Sequence, residues 1–125
     1  MLTLNPDALT PIYLQIAAWL EDQILADELP ADERIYSQYQ LAELFNINPA
    51  TAAKGLNVLA EQGIVYKKRG LGMFVSPEAK SAILQKRRSG KLQQLVADLV
   101  LEARQLSIED DELIHLIQNE MKKEV

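Results

Sequence analysis

The chain has 125 residues, 48% hydrophobic and 25% charged, with a net charge of −5 and no cysteine, which fits one compact domain plus an appendage and lies far from disordered compositions. The absence of thiols excludes disulfide frameworks, cysteine nucleophiles and zinc–thiolate centres together. No apolar run reaches bilayer length and the N-terminus does not read as a signal peptide, so a cytoplasmic location without a membrane partner is expected.

Residues 1–33 carry seven acids and no base. Within them Thr10-Pro11 supplies a capping hydroxyl and a proline for the first helical position. Ile12, Ile16, Leu20 and Ile24 follow at a spacing of four, flanked by Ala17 and Trp19, and predict a first helix that ends near Ala26 with its stripe toward the core. Its acids Glu21, Asp22, Asp27 and Glu28 are expected on the outer face, where they would repel phosphate, so this helix belongs behind any nucleic-acid surface.

Residues 34–91 reverse the balance, with ten Lys/Arg against three acids. Phosphate binding depends on where cations cluster rather than on the total, so the acidic whole does not exclude a nucleic-acid partner. Leu29-Pro30 breaks the first helix and Arg34-Ile35 forms a short extended piece. Ser37-Gln38-Tyr39-Gln40 matches a capping box and opens a second helix with Leu41, Ala42, Leu44 and Phe45 as its apolar face. Asn46-Ile47-Asn48 makes a tight turn, and Asn48-Pro49 opens a third helix, with Ala52, Leu56 and Leu59 inward and Gly63 as its stop. Two short helices so joined cross steeply and present the start of the second to a groove. Gly55 inside that helix costs about 1 kcal/mol against alanine, a sign of close packing or a less rigid helix. Ile64–Lys68 and Met73–Val75 then read as two strands joined by Arg69-Gly70-Leu71-Gly72, whose glycines permit positive φ and close backbone approach. Lys67, Lys68 and Arg69 make its tip cationic. The outline is a winged helix-turn-helix.

Ser76-Pro77 is expected to cap a further helix running to about Leu106, with a weak spot at Ser89-Gly90. Leu92, Leu95, Val96, Leu99, Ala103 and Leu106 alternate three- and four-residue steps along it. Ser107-Ile108-Glu109-Asp110 restarts a helix with acids at its positive end, and Leu113, Ile114, Ile117 and Met121 continue the seam. Two such helices offer too little surface to bury both stripes, so a second copy is the natural partner. The domains are read as 1–76, DNA-binding, and 77–125, a two-helix dimerisation arm, in a mainly α fold with a small β-hairpin (α+β).

Nothing in the chain assembles an active site. His115 is the only histidine and lies in the C-terminal seam, where a packing or surface role outweighs catalysis or metal binding. Asp110, Asp111 and Glu112 match no calcium loop, and Gly70-Leu71-Gly72 lacks the context of a dinucleotide site. No enzyme activity, metal or cofactor is expected. For DNA, Asn48, Ala50, Thr51 and Lys54 fall on the exposed start of the third helix, with Asn57 a weaker candidate. Ser37, Gln38 and Tyr39 stand at the second helix start, suited to a phosphate, and Lys67, Arg69, Gly70, Leu71 and Gly72 form the wing. Lys86, Arg87, Arg88 and Lys91 are read as a solvated face rather than a second phosphate patch. Leu92, Leu95, Val96, Leu99, Leu106, Leu113 and Ile117 are the expected dimer contacts.

The order Pro11-Ile12-Tyr13 with Gln15-Ile16, Leu29-Pro30 through Ser37, Leu41-Ala42, Ile47-Asn48-Pro49, Thr51, Ala53-Lys54, Gln62-Gly63 and Arg69 through Val75 resembles a GntR-family winged helix-turn-helix over about residues 10–76. The Asn48-Pro49 turn and the short helical tail are similar to the YtrA subfamily. The resemblance implies a homodimeric bacterial transcription regulator, usually a repressor. It implies an inverted-repeat, double-stranded operator, with the third helix in the major groove and the wing in the minor groove, and often genes for ATP-binding-cassette transporters as targets. Tyr36 and Tyr39 stand where the family commonly has Pro and Arg, and Pro49 and Ala53 where many relatives outside the subfamily carry arginines. Guanine-reading arginines are thus missing from the recognition helix, which shifts specificity toward the wing, Tyr39 and DNA shape. Those missing arginines also motivate a rival reading, a protein-interaction module with vestigial DNA contact. The tail is too small to enclose an effector pocket by itself. The existence and identity of an effector are left open by the sequence; one, if any, would sit at the dimer interface or between arm and DNA-binding domain.

Overall fold

The computed structural model describes residues 4–123, so the outermost residues of both predicted domains lie outside the described residues. The chain divides into two compact units after Gln85. The first contains α1 (Ile12–Leu25), α2 (Gln38–Phe45), α3 (Pro49–Glu61), β1 (Val65–Lys68), β2 (Gly72–Val75) and most of α4 (Ala79–Arg87). It extends past the boundary placed at Ser76 because Ala79 and Ile83 of α4 are buried in its core.

That core is the predicted stripe meeting its partners. Ile16, Leu20 and Ile24 of α1 pack with Leu41 of α2, Ala52, Leu56 and Leu59 of α3, and Ile64, Val65 and Val75 of the hairpin. Burying such side chains is the main force holding the helices in place. Trp19 closes one edge, its ring 5.1 Å from Phe45 in an edge-to-face contact and 5.7 Å from Tyr36. Gly55 faces α1 so closely that an added Cβ would lie 2.8 Å from the Tyr13 carbonyl oxygen. Close packing is therefore the reason for that glycine.

Three local expectations give way. Pro11 itself is the N-cap of α1 and no side chain caps it. Instead the Gln15 amide folds back, donating to the carbonyls of Thr10 (2.9 Å) and Asn5 (2.8 Å). Glu21 is buried, not outward, because the apolar face of α1 is wider than one row. Leu44 remains 42% exposed, since the short α2 buries only Leu41 and Ala42.

The sheet is antiparallel, with Tyr66 opposite Phe74, Lys67 opposite Met73 and Lys68 opposite Gly72. Residues 32–35 run along its free edge. Ile35 N–H donates to the Met73 carbonyl (2.9 Å), Asp32 N–H to the Val75 carbonyl (2.7 Å), and Arg34 bridges Phe74. This extended segment covers the edge of β2 and ties the wing to the chain entering α2.

In the second unit α4 is followed by a π-helical turn, Arg88–Leu92, then by α5 (Gln93–Gln105) and α6 (Asp110–Lys122). The irregular turn falls on the Ser89-Gly90 weak spot, and α4 begins only at Ala79 rather than directly after Ser76-Pro77. Ser107 does not cap α6, whose N-cap is Glu109 without a side-chain bond. Ser107 instead has φ 58° and ends α5, letting Ile108 N–H reach back to the Ala103 carbonyl (2.9 Å) and its own N–H to Arg104 (3.1 Å). That is a Schellman ending. α1 ends the same way through Asp27 and α3 through Gly63. Arg104 donates to Asp110 at 2.7 Å, and that carboxylate holds the guanidinium above its ordinary pKa.

Candidate nucleic-acid interface

Both helix starts are built as their residues dictate. The Ser37 hydroxyl accepts from Gln40 N–H (3.1 Å) while the Gln40 side-chain oxygen accepts from Ser37 N–H (2.8 Å). The reciprocal pair fixes the entry of α2 and leaves the Gln38 and Tyr39 N–H groups without helical acceptors. Asn46, in the left-handed region at φ 56°, makes the turn. Asn48 then caps α3, its side chain accepting from Ala50 N–H (2.8 Å) ahead of Pro49.

The predicted residues fall into three groups. Ser37, Gln38, Tyr39 and Lys67 line one groove of about 280 Å³, with Gly72 at its margin and Ala53, Leu56 and Asn57 of α3 as its wall. Asn48, Ala50 and Lys54 are exposed on the start of α3 and Thr51 is half-buried there. Arg69, Gly70 and Leu71 occupy the exposed hairpin tip, where Gly70 and Gly72 have φ of 78° and 106° and Leu71 N–H closes the turn on the Lys68 carbonyl (2.9 Å). Asn57, the weaker candidate from the sequence, lies on the wall of this groove of Ser37 and Lys67.

Other cations are not where the linear sequence puts them. Lys67 and Lys68 point to opposite faces of the hairpin, as strand alternation requires. Lys68 Nζ lies 4.5 Å from the Phe74 ring centre. Lys54 Nζ rests 4.3 Å over the Tyr13 ring, so Tyr13 both supports this cation and abuts Gly55. Tyr66 stacks on Phe74 and its hydroxyl donates to Asp32 (2.8 Å), which raises the phenol's pKa above the ordinary value. Arg34 is a functional candidate the sequence reading missed. Its guanidinium crosses Gly72, and only the pairing of residues 32–35 with β2 reveals it. Lys86 and Arg87 are half-buried and engaged, while Arg88 and Lys91 are exposed on the π-helical turn.

On α5 and α6, Leu92, Leu95, Val96, Leu99 and Leu106 remain about half exposed, and Leu113 and Ile117 are half-buried. Leu99, Leu116, Ile117 and Met121 line an open groove of about 450 Å³. Leu101 and Leu116, which lie outside the predicted seam, are also about half exposed. Among the described residues no helix is long and apolar enough to cross a membrane and no cluster of His, Asp and Glu could hold a metal.

A three-helix core with α2 and α3 joined by a tight turn, followed by a hairpin whose edge is covered by residues 32–35, defines a winged helix-turn-helix DNA-binding protein. Residues 12–75 match the family described as bacterial regulatory proteins, gntR family. The chain belongs to this family of DNA-binding transcription regulators, and it is not an enzyme. It is 27% identical to the HTH-type transcriptional repressor YtrA of Bacillus subtilis over 90% of this chain and 86% of that one. A putative GntR-family regulator from Bacteroides thetaiotaomicron has the same fold over 92% of this chain and all of its own, with a TM-score of 0.76 and 29% identity. The AraR DNA-binding domain, solved in complex with operator ORX1, superposes with a TM-score of 0.56 and 25% identity, covering 61% of this chain and 96% of that one.

Proposed function

We propose that the chain acts in the cytoplasm as a homodimeric repressor that places α3 in the major groove and the wing in the minor groove of each half of an inverted-repeat operator. The observation that carries this reading is the groove that Ser37, Gln38 and Tyr39 of the α2 start share with Ala53 and Asn57 of α3 and with Lys67 and Gly72 of the wing. In the proposed complex, Asn48, Ala50, Thr51, Lys54 and Asn57 meet bases or phosphates from α3, while Ser37, Gln38 and Tyr39 hold the backbone strand that passes between the grooves. Arg69, Gly70, Leu71 and Gly72 enter the minor groove. The half-exposed leucines of α5 and α6 support dimerisation, because a seam of that size in water is stabilised by a second copy. Two half-sites about one helical turn apart suit a two-fold dimer.

The test is fluorescence anisotropy on DNA from upstream of its own gene against scrambled duplex, across a salt series. Tight, site-specific binding by one dimer that weakens steeply with salt is expected. The triple change of Lys67, Lys68 and Arg69 to alanine should abolish retention while leaving the dimer intact. Unchanged DNA behaviour in that variant would remove the wing from the interface.

A further inference from the structure

The wing carries cations on both faces, and only one face adjoins α2 and α3. In an antiparallel sheet, residues directly opposite share a face, and alternate residues along a strand share it too. Arg34, bridged to Phe74, therefore forms one row with Phe74 and Tyr66, with Gly72 and Lys68 as the next row toward the tip. Lys67 and Met73 lie on the reverse face and line the groove beside α2.

On the outer face the Arg34 side chain runs from its own strand across Gly72. Its Nε stands 2.9 Å from where a Cβ on Gly72 would lie, so any side chain there would displace it. Lys68 reaches the same region from the other strand, held over the Phe74 ring at 4.5 Å and the Tyr66 ring at 5.8 Å. The acid on this face, Asp32, lies at the end away from the tip and accepts from Tyr66. Among the described residues Arg34, Lys67, Lys68 and Arg69 form no ion pair with a carboxylate. A guanidinium fork and an ammonium on adjacent rows of one sheet face, neither with a counter-charge, are donors for a phosphate oxygen.

The geometry points to a second phosphate seat, made by Arg34 and Lys68 over Gly72, which takes a backbone phosphate of the DNA strand across the minor groove from the strand that Lys67 meets. The minor groove is about 6 Å wide and walled by two backbones, so a hairpin with cations on both faces grips both walls. The seat rests on the regulator reading, and it adds a residue outside the helix-turn-helix and the hairpin.

Anisotropy across a salt series tests it, using a duplex of about three helical turns from upstream of the chain's own gene. Each phosphate contact contributes a slope of about 0.9 to log affinity against log salt. Because one dimer carries two copies of the seat, Arg34→Gln, which removes the charge and keeps part of the stem, should lower the slope by about 2, and Arg34→Lys should hold it. Lys67→Gln should lower it by a similar amount, and the double variant by the sum, because the two cations meet different phosphates. Melting temperatures matching the parent protein establish that the fold is intact. A slope unchanged in Arg34→Gln, or lost equally in Arg34→Lys, overturns the seat while the regulator reading stands. An unsubstituted protein that binds no duplex at any salt overturns both.

Discussion

Gly55→Ala sets two known quantities against each other. Alanine is favoured over glycine inside a helix by about 1 kcal/mol. The new Cβ, however, would lie 2.8 Å from the Tyr13 carbonyl oxygen and 3.4 Å from the Ile16 side chain, where ordinary contact begins at 3.4 Å. The close neighbour is backbone, so no rotamer change relieves it and α1 and α3 must part by several tenths of an ångström. That loosens Ile16, Leu20, Ala52 and Leu56 together, and overpacking of this kind costs about 1–3 kcal/mol. The steric term outweighs the propensity term, giving a net loss of about 1 kcal/mol and a melting temperature lower by about 5 °C. Urea unfolding followed by Trp19 fluorescence reads it, since that ring packs on Phe45 and Tyr36 inside the same unit. The contrasting site is Gly90, with no atom within 4 Å of an added Cβ and no positive φ, where alanine should stabilise by up to about 1 kcal/mol. An unfolding midpoint for Gly55→Ala at or above that of the parent would refute the contact as the reason for this glycine.

Ser107 holds a left-handed conformation that costs an L-residue about 1–2 kcal/mol. Ser107→Gly should therefore stabilise the α5–α6 turn by up to about 1 kcal/mol, seen as slower amide exchange at Ile108, whereas Ser107→Val should speed that exchange. Tyr66 ionises above its ordinary pKa because its neutral hydroxyl donates to Asp32. The stability from this coupling is present below the ordinary tyrosine pKa and is lost as pH rises through the higher folded value. Phenolate absorbance should show that late step in the parent protein and not in Tyr66→Phe. Leu95→Asp with Leu99→Asp should yield monomers in light scattering and weaker operator binding, and a persistent dimer would place the interface elsewhere.

Features encoded by neighbours in sequence were the legible ones. The Ser37–Gln40 box, the Asn48-Pro49 start and the glycine-tipped hairpin each need only a few adjacent residues, and each formed as read. Features that depend on the chain folding back were not legible. Glu21 is buried by packing that no local pattern encodes. Lys54 is carried by Tyr13, more than a helix away in sequence. Arg34 reaches the wing only because residues 32–35 pair with β2, and Ser107 serves the helix before it rather than the one after. The boundary near residue 76 fell short because Ala79 and Ile83 look like any helical residues until their core partners are in place.

The perch of Lys68 on aromatic rings bears on how fast DNA can be engaged. A lysine paired with a carboxylate must break that pair before it meets a phosphate, and the broken pair adds to the barrier of docking. Lys68 is held by ring faces, an attraction that leaves its charge unneutralised. It therefore contributes to the long-range field that guides a polyanion inward. In the proposed complex the wing cations thus raise the association rate as well as holding phosphates once the DNA is bound.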